Sequence, residues 1–215
     1  MGTPLITRVK LKFRKLVREL DPAEHRFRRV WPLIDQSEGF LEEAEAQWLF
    51  NAALNAPSGS NIVEIGSYKG RSTCSLALGC QGTNKRVFAV DPFDGGPDLP
   101  RADSLQEFSR NLRRCGVSEY VEPIVGISVD VSKNWNKPIQ ILFVDGSHKY
   151  EDVVADFAGF FPHVVTGGIV AFHDVTESWP GVLRAWNGIF VHKLTKIGQC
   201  WGIGYGRKPK AGDSR

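Results

Sequence analysis

The sequence contains no apolar run that approaches the ~18 residues of a membrane-spanning helix. Its first residues also lack the apolar core and the small-residue cleavage site of a secretory signal peptide. These absences argue against a helical membrane protein with a transmembrane segment, and they predict a cytoplasmic location.

Paired cysteines and a strong charge imbalance are also missing. The cysteines are scattered without a C-x-x-C spacing, so neither a zinc site nor a disulfide framework is predicted. They are Cys74, Cys80, Cys115 and Cys200. The formal net charge of +3 is small for a nucleic-acid-binding protein, and we predict no nucleic-acid partner.

Positive charge is nevertheless concentrated near the N-terminus. Between Arg8 and Arg29, basic residues are interleaved with apolar ones at roughly helical spacing. The basic residues in between are Lys10, Lys12, Arg14, Lys15, Arg18, Arg26 and Arg28. We predict a basic helical arm over residues 1–35, which is either a solvated arm or homo-oligomer contact, or a peripheral contact with an anionic membrane surface or acidic partner.

The rest of the chain alternates short apolar runs with helical segments. The predicted strands are Asn61–Ile65, Arg86–Val90, Tyr120–Ile124, Ile139–Val144 and Gly168–Phe172. The predicted helices are Ser37–Leu54, Ser72–Leu78, Ser104–Cys115 and Tyr150–Phe161. This alternation predicts a parallel sheet with helices on both faces, in one domain over residues 36–206, followed by a flexible tail over 207–215.

Two further strands are predicted after a short helix that follows Pro180. The runs Ile189–Leu194 and Trp201–Tyr205 favour a hairpin that closes the sheet, with Lys196–Cys200 as its turn.

The first predicted strand ends in the segment Glu64–Ser72, where Gly66 and Gly70 permit a tight turn before a helix. The spacing matches neither the G-x-G-x-x-G of dinucleotide enzymes nor a phosphate loop. A pyrophosphate needs many backbone N–H donors, whereas a sulfonium cofactor with a zwitterionic tail suits an acidic residue, which Glu64 supplies. The turn therefore favours an aminoacyl sulfonium cofactor over a dinucleotide.

Later strand ends supply the other predicted cofactor contacts. Asp91 ends the second strand, where a carboxylate can accept both hydroxyls of a ribose. Phe93 is then predicted to lie along the adenosine, and Ser128, in the loop after the third strand, is predicted to meet the adenine edge.

Four segments in this order resemble the class I S-adenosylmethionine-dependent methyltransferases: Glu64–Ser72, Val90–Phe93, Phe143–His148 and Gly167–Asp174. The resemblance covers residues 34–205 and is strongest to the small stand-alone bacterial methyltransferases that include the macrolide sugar O-methyltransferases. It implies an α/β fold with a Rossmann-like doubly wound, mostly parallel seven-stranded sheet, an antiparallel last strand and N-terminal helices. The implied cofactor contacts are Glu64, Gly66, Ser67, Gly70, Ser72, Asp91 and Asp145.

The resemblance also implies a reaction centre at the ends of the fourth and fifth strands. Methyl transfer to a hydroxyl is a direct displacement that needs a base. We predict that His148 is this base and that Asp145 is a second catalytic residue, while a helix cap is the alternative role of His148.

The resemblance further implies a candidate metal site, since several sugar O-methyltransferases carry a divalent ion on an Asp and a following acidic pair, which here correspond to Asp145, His173 and Asp174. His173 replaces the first acid of the pair, and a nitrogen ligand suits Mg²⁺ less well than Mn²⁺ or a softer ion. The sequence leaves open a site for Mg²⁺ or Mn²⁺ and a reaction without metal.

The predicted function is O-methylation of a hydroxyl on a sugar or another small natural-product acceptor. Trp135, Trp179 and Trp186 are candidate flat surfaces for that acceptor. The alternatives are an N-methyltransferase acting on a small molecule, a nicotinamide-dependent oxidoreductase, and a non-catalytic cofactor-binding protein.

Overall fold

A computed structural model describes residues 22–95 and 104–210. Within this part of the chain, seven strands form one sheet in the order β3-β2-β1-β4-β5-β7-β6. The strands are β1 Asn61–Ile65, β2 Arg86–Asp91, β3 Val121–Val125, β4 Ile139–Val144, β5 Val164–Phe172, β6 Thr195–Cys200 and β7 Ile203–Arg207. Strands β1 to β5 are parallel, and β7 runs antiparallel to both of its neighbours. The predicted Rossmann-like doubly wound α/β fold is confirmed.

Helices cover both faces of the sheet and build two hydrophobic cores. They are α1 Pro22–Ile34, α2 Glu43–Asn55, α3 Arg71–Cys80, α4 Leu105–Cys115, α5 Ser128–Lys133, α6 Tyr150–Phe160, α7 Pro180–Ala185 and α8 Val191–Lys193. Helices α1 to α4 pack with Ile62 on one face, and α6 and α7 pack with Val63 on the other. Successive strand residues therefore serve opposite cores, as the two-residue period of a strand requires.

The described part of the basic arm is α1. Its Phe27 and Ile34 are buried in the core that α2, α3 and α4 share. Residues 1–21, which carry most of the predicted basic helix, lie outside the described residues.

Helix α2 begins at Glu43, six residues later than predicted. Glu42 precedes the first turn, and a capping box joins it to Glu45, which accepts the Glu42 backbone N–H at 3.0 Å. Such reciprocal bonds satisfy backbone donors that the first helical turn leaves unpaired, and they fix where the helix starts.

The predicted strand Ile189–Leu194 is wrong, because the chain continues from α7 through a π-helical turn, Trp186–Phe190, into α8. Phe190 is fully buried and stacks on Phe172 with ring centroids 4.0 Å apart. A short apolar run fits a buried helix as well as a strand, so periodicity alone does not distinguish them.

The predicted hairpin turn, Lys196–Cys200, is also wrong, because it lies within strand β6. A Cβ at Gly198 would lie 2.4 Å from the Tyr205 ring, so this glycine serves close cross-strand packing and not a turn. The hairpin turns at Trp201 and Gly202.

Among the helices of residues 22–95 and 104–210, none combines the length and the apolar character needed to cross a bilayer.

Candidate active site

The predicted site residues gather where the parallel strands end. After β1, the chain turns at Gly66, whose φ is +84° and whose amide donates to the Val90 carbonyl at 2.9 Å. A Cβ at Gly66 would lie 2.1 Å from the backbone oxygen of Asp145. Only glycine therefore allows the loop after β1 to pass directly against the loop after β4, as happens at the ligand edge of such sheets.

Glu64 lies fully buried beneath this turn. Its Oε2 accepts the hydroxyls of Ser67, at 2.8 Å, and Thr73. Its Oε1 has no hydrogen-bond partner among the described residues. Burial is the largest influence on this carboxyl group and raises the pKa of Glu64 to about 7, although the surrounding hydroxyls oppose the shift. The turn is thus built over a buried carboxyl group that the hydroxyls of the turn and of the following helix surround.

Asp91, at the end of β2, organises the same turn from the neighbouring strand. Its Oδ2 accepts the backbone N–H of Ser67 at 2.7 Å and that of Tyr68 at 2.8 Å, and its Oδ1 accepts that of Phe93. Tyr68 has a φ of +44°, which is uncommon for a bulky residue and which these bonds hold in place. Asp91 is therefore the anchor of the glycine turn in addition to its predicted ribose contact.

The two residues predicted to meet the adenosine have partners within the protein. Phe93 is 4% exposed and packs edge-to-face on Phe108. Ser128 begins α5, and its hydroxyl donates to Asp156. Burial raises the pKa of Asp156 to about 6. Ile127, next to Ser128, is 61% exposed and offers apolar surface at this edge.

His148 lies in the loop after β4, opposite the loop after β5. Its Nε2 is 2.9 Å from Oδ2 of Asp174. Trp179 stacks on its ring with centroids 3.6 Å apart and planes 17° apart. The carboxylate and the indole together fix the orientation of the imidazole.

His173 has a carboxylate on each side of its ring. Its Nδ1 is 3.2 Å from Asp145 Oδ1 and 3.1 Å from Asp174 Oδ2, and its Nε2 is 3.2 Å from Glu45 Oε2. Burial disfavours the imidazolium, but the neighbouring carboxylates, that of Asp145 foremost, raise the pKa of His173 well above its usual range. Burial acts in the opposite direction on Asp174, yet hydrogen bonds from both histidines hold the pKa of that carboxyl well below its usual range.

Glu45 also belongs to the cluster around His173, and the sequence did not predict it there. It comes from α2, is 3% exposed, and also accepts the Gly202 backbone N–H at 2.8 Å through Oε1. The hydrogen bond with His173 and the donated backbone N–H groups outweigh burial and lower the pKa of Glu45. A sequence signal existed, because Glu45 lies on the apolar face of α2 beside the buried Ala46 and Leu49.

Two of the three predicted acceptor surfaces are core residues. Trp135 is 8% exposed and Trp186 is 6% exposed, and both belong to the core of α6 and α7. Trp179 lies at the site, on His148.

Comparison with known proteins identifies the family. A family model described as "Methyltransferase domain" matches residues 63–175, from within β1 to the loop after β5. An uncharacterized protein of Acanthamoeba polyphaga mimivirus is 31% identical over 137 residues, covering 59% of this chain and 58% of that protein. An uncharacterized protein of Sinorhizobium fredii (strain NBRC 101917 / NGR234) is 30% identical over 141 residues, covering 58% of this chain and 14% of that protein. The match thus spans a little over half of one relative and a small part of the other.

Solved structures share the fold. The O-methyltransferase NovP has a TM-score of 0.64 at 17% identity, covering 78% of this chain and 81% of that one. An O-methyltransferase from Bacillus cereus, in complex with SAH, has a TM-score of 0.62 at 17% identity, with coverages of 86% and 91%. The TDP-rhamnose 3'-O-methyltransferase of calicheamicin biosynthesis has a TM-score of 0.59 at 18% identity, with coverages of 90% and 96%.

The matched residues include Glu64, Gly66, Asp91, Asp145, His148 and Asp174. The strand order and the family model agree with the resemblance drawn from the sequence. This chain belongs to the methyltransferase domain family.

Proposed function

We propose that this protein uses S-adenosylmethionine to O-methylate a hydroxyl of a sugar or another small natural-product acceptor. The observation that carries the proposal is the position of the paired His148 and Asp174 at the same sheet edge as the Glu64 turn. A methyl donor held at the turn and a hydroxyl held at His148 would lie in adjoining parts of one crevice.

The turn has the chemistry that this cofactor needs. S-adenosylmethionine supplies an electrophilic methyl group on a sulfonium cation. The buried carboxyl group of Glu64, beneath the turn, is our candidate for stabilising the positively charged end of such a molecule. Asp91, through the carboxylate that already anchors the turn, is our candidate for the ribose hydroxyls.

We assign to His148 the removal of the proton from the acceptor hydroxyl. The imidazole of His148, which Asp174 holds through Nε2, takes this proton as the new C–O bond forms. The C–S bond breaks in the same displacement, and the leaving group is a neutral thioether. Asp174 stabilises the imidazolium that results, and Trp179 keeps the ring in plane.

A divalent ion fits the residues beside the base. Asp145, His173 and Asp174 each offer a ligand atom, and these atoms lie within 4.8 Å of one another. Glu45 faces the other ring nitrogen of His173, as outer carboxylates do behind metal-ligating histidines. An ion bound there would lower the pKa of the acceptor hydroxyl, and the nitrogen ligand favours Mn²⁺ over Mg²⁺.

The proposed function is tested by turnover with S-adenosylmethionine labelled at its methyl carbon. The acceptor panel comprises TDP-rhamnose, simple methyl glycosides, catechol and small amines, each with and without Mn²⁺. We expect the label on an oxygen of the acceptor, with S-adenosylhomocysteine formed in an amount equal to that of the methyl groups transferred. Transfer of the labelled methyl group to a nitrogen, at a rate that His148→Ala does not reduce, would contradict O-methylation.

Three further expectations stay predictions: the cytoplasmic location, the contact made by the basic arm, and the domain limits at residues 36 and 206.

A further inference from the structure

The turn between β6 and β7 carries an unusual residue. Trp201 has a φ of +53° and is 71% exposed. A bulky side chain rarely adopts this left-handed backbone conformation, and glycine would occupy the position without strain. An exposed indole also adds little to the hydrophobic core, so folding alone does not explain the residue.

The turn is held rigidly in spite of this strain. The Gly202 amide donates to Glu45 Oε1 at 2.8 Å, and the Gly202 carbonyl accepts the Val175 amide at 2.9 Å. The Gln199 side-chain amide donates to the Trp201 carbonyl at 2.9 Å. Three elements therefore fix the backbone that displays Trp201: helix α2, strand β6 and the loop after β5.

This rigid turn borders the reaction centre. A Cβ at Gly202 would lie 3.8 Å from the Asp174 amide and 3.8 Å from Thr176. The same loop continues through Trp179, which stacks on His148 and is 36% exposed. The loop that holds Asp174, the partner of the proposed base, thus carries one indole, that of Trp179, and the turn beside it carries a second, that of Trp201.

We infer that Trp201 is a stacking platform for a sugar ring of the acceptor, and this inference rests on the proposed function. The face of a sugar ring that is rich in C–H groups packs on an indole, while the ring hydroxyls need hydrogen-bond acceptors. When no ion is bound, the carboxylates of Asp174, whose backbone lies beside the turn, and of Asp145 offer such acceptor oxygens. The rigid turn lowers the entropic cost of binding, because the platform is already in place.

The charge beside the turn favours a neutral ring over an anionic one. With no ion bound, three carboxylates surround the single imidazole of His173, and their negative charge exceeds the positive charge that this ring can carry. An anionic ring at this position would be repelled, whereas a polyhydroxylated ring donates hydrogen bonds to the same oxygens.

The test measures sugar binding in the presence of saturating S-adenosylhomocysteine. TDP-rhamnose is titrated into the wild type, Trp201→Ala, Trp201→Phe and Ile197→Ala, with TDP alone as the ligand control. Ile197 is a matched control because it is a 45% exposed apolar residue on the same hairpin. Saturation-transfer NMR on the sugar protons identifies the part of the ligand that contacts the protein.

The platform predicts that Trp201→Ala weakens TDP-rhamnose binding about tenfold or more, while Trp201→Phe restores most of the affinity. Ile197→Ala, S-adenosylhomocysteine binding and the melting temperature should not change. An unchanged dissociation constant in Trp201→Ala, or a wild type that binds S-adenosylhomocysteine but not TDP-rhamnose, would overturn the platform and leave methyl transfer intact. Wild-type failure to bind S-adenosylhomocysteine would contradict the proposed function and the platform together.

Discussion

Oδ2 of Asp174 lies 2.9 Å from Nε2 of His148 and 3.1 Å from Nδ1 of His173. One carboxylate oxygen therefore joins the proposed base to the buried cluster behind it. Asp174 itself has a φ of +59°, a conformation that non-glycine residues adopt uncommonly and that occurs often at functional sites. The arrangement couples the orientation of His148 to that of His173.

Replacement of His148 by alanine should lower kcat about 10²- to 10⁴-fold, because the acceptor proton loses its base. S-adenosylhomocysteine should bind with unchanged affinity, since the cofactor contacts lie at the Glu64 turn. Turnover kinetics and calorimetry measure the two effects separately. His163→Ala is the control, because His163 lies beside the opposite end of β5 and should retain wild-type kcat. A wild-type kcat in His148→Ala would remove the residue from the mechanism.

Gly66→Ala should destabilise the folded protein far more than Gly82→Ala does. Both glycines have left-handed φ values, +84° and +74°, so both alanines incur a backbone cost of about 1–2 kcal/mol. Only the Gly66 Cβ would also clash with the Asp145 backbone, whereas nothing lies within 4 Å of a Cβ at Gly82. Melting temperatures of the two variants measure the difference. Equal losses would contradict the close approach of the two loops.

The carboxyl of Glu64 should make stability depend on pH. Its folded-state pKa of about 7 is above the ordinary 4.5, so the folded protein binds this proton more tightly than the unfolded chain. The contribution is fully present below pH 4.5 and is lost as the pH rises through 7, for a total on the order of 3 kcal/mol. Urea unfolding at several pH values should show that Glu64→Gln loses this decline while its other pH dependence is unchanged. Parallel stability curves for the two proteins would be inconsistent with a buried, proton-binding Glu64.

Metal binding should depend on Glu45, which does not itself belong to the ligand set. After treatment with a chelator, the wild type should bind Mn²⁺ in a calorimetric titration. Glu45→Gln should weaken this binding about 10- to 100-fold, because the amide no longer fixes the His173 ring as the carboxylate does. Glu43→Gln is the matched control, since Glu43 is exposed on the same helix. Absence of Mn²⁺ binding in the wild type would refute the metal site and leave His173 as a cation between carboxylates.

The central strands could be predicted from sequence because each is buried on both faces. Strands β1 and β4 have the predicted limits, and β2 is one residue longer than predicted. Buried parallel strands appear as continuous apolar runs with polar residues at their ends, which also locates Glu64 and Asp91. Because the end of β1 can be predicted in this way, the glycine turn that follows it can also be located from the sequence.

The C-terminal hairpin and Glu45 depend on contacts between distant parts of the chain. The stacking of Phe190 on Phe172 selects a helix where the local sequence also permits a strand. The hydrogen bond between Glu45 and His173 joins residues 128 positions apart, and no local pattern specifies it. Trp201 becomes informative only when the turn is known to lie beside Asp174.

The proposed cofactor site at the glycine turn can be tested by calorimetric titration of S-adenosylhomocysteine into the wild type and Asp91→Ala. Asp91 accepts the backbone N–H groups of Ser67 and Tyr68, so its loss releases the turn as well as removing the candidate ribose acceptor. We expect one site per wild-type chain and an affinity about tenfold or more lower in Asp91→Ala. A wild type that does not bind S-adenosylhomocysteine, or that binds NAD instead, would contradict the proposed cofactor site.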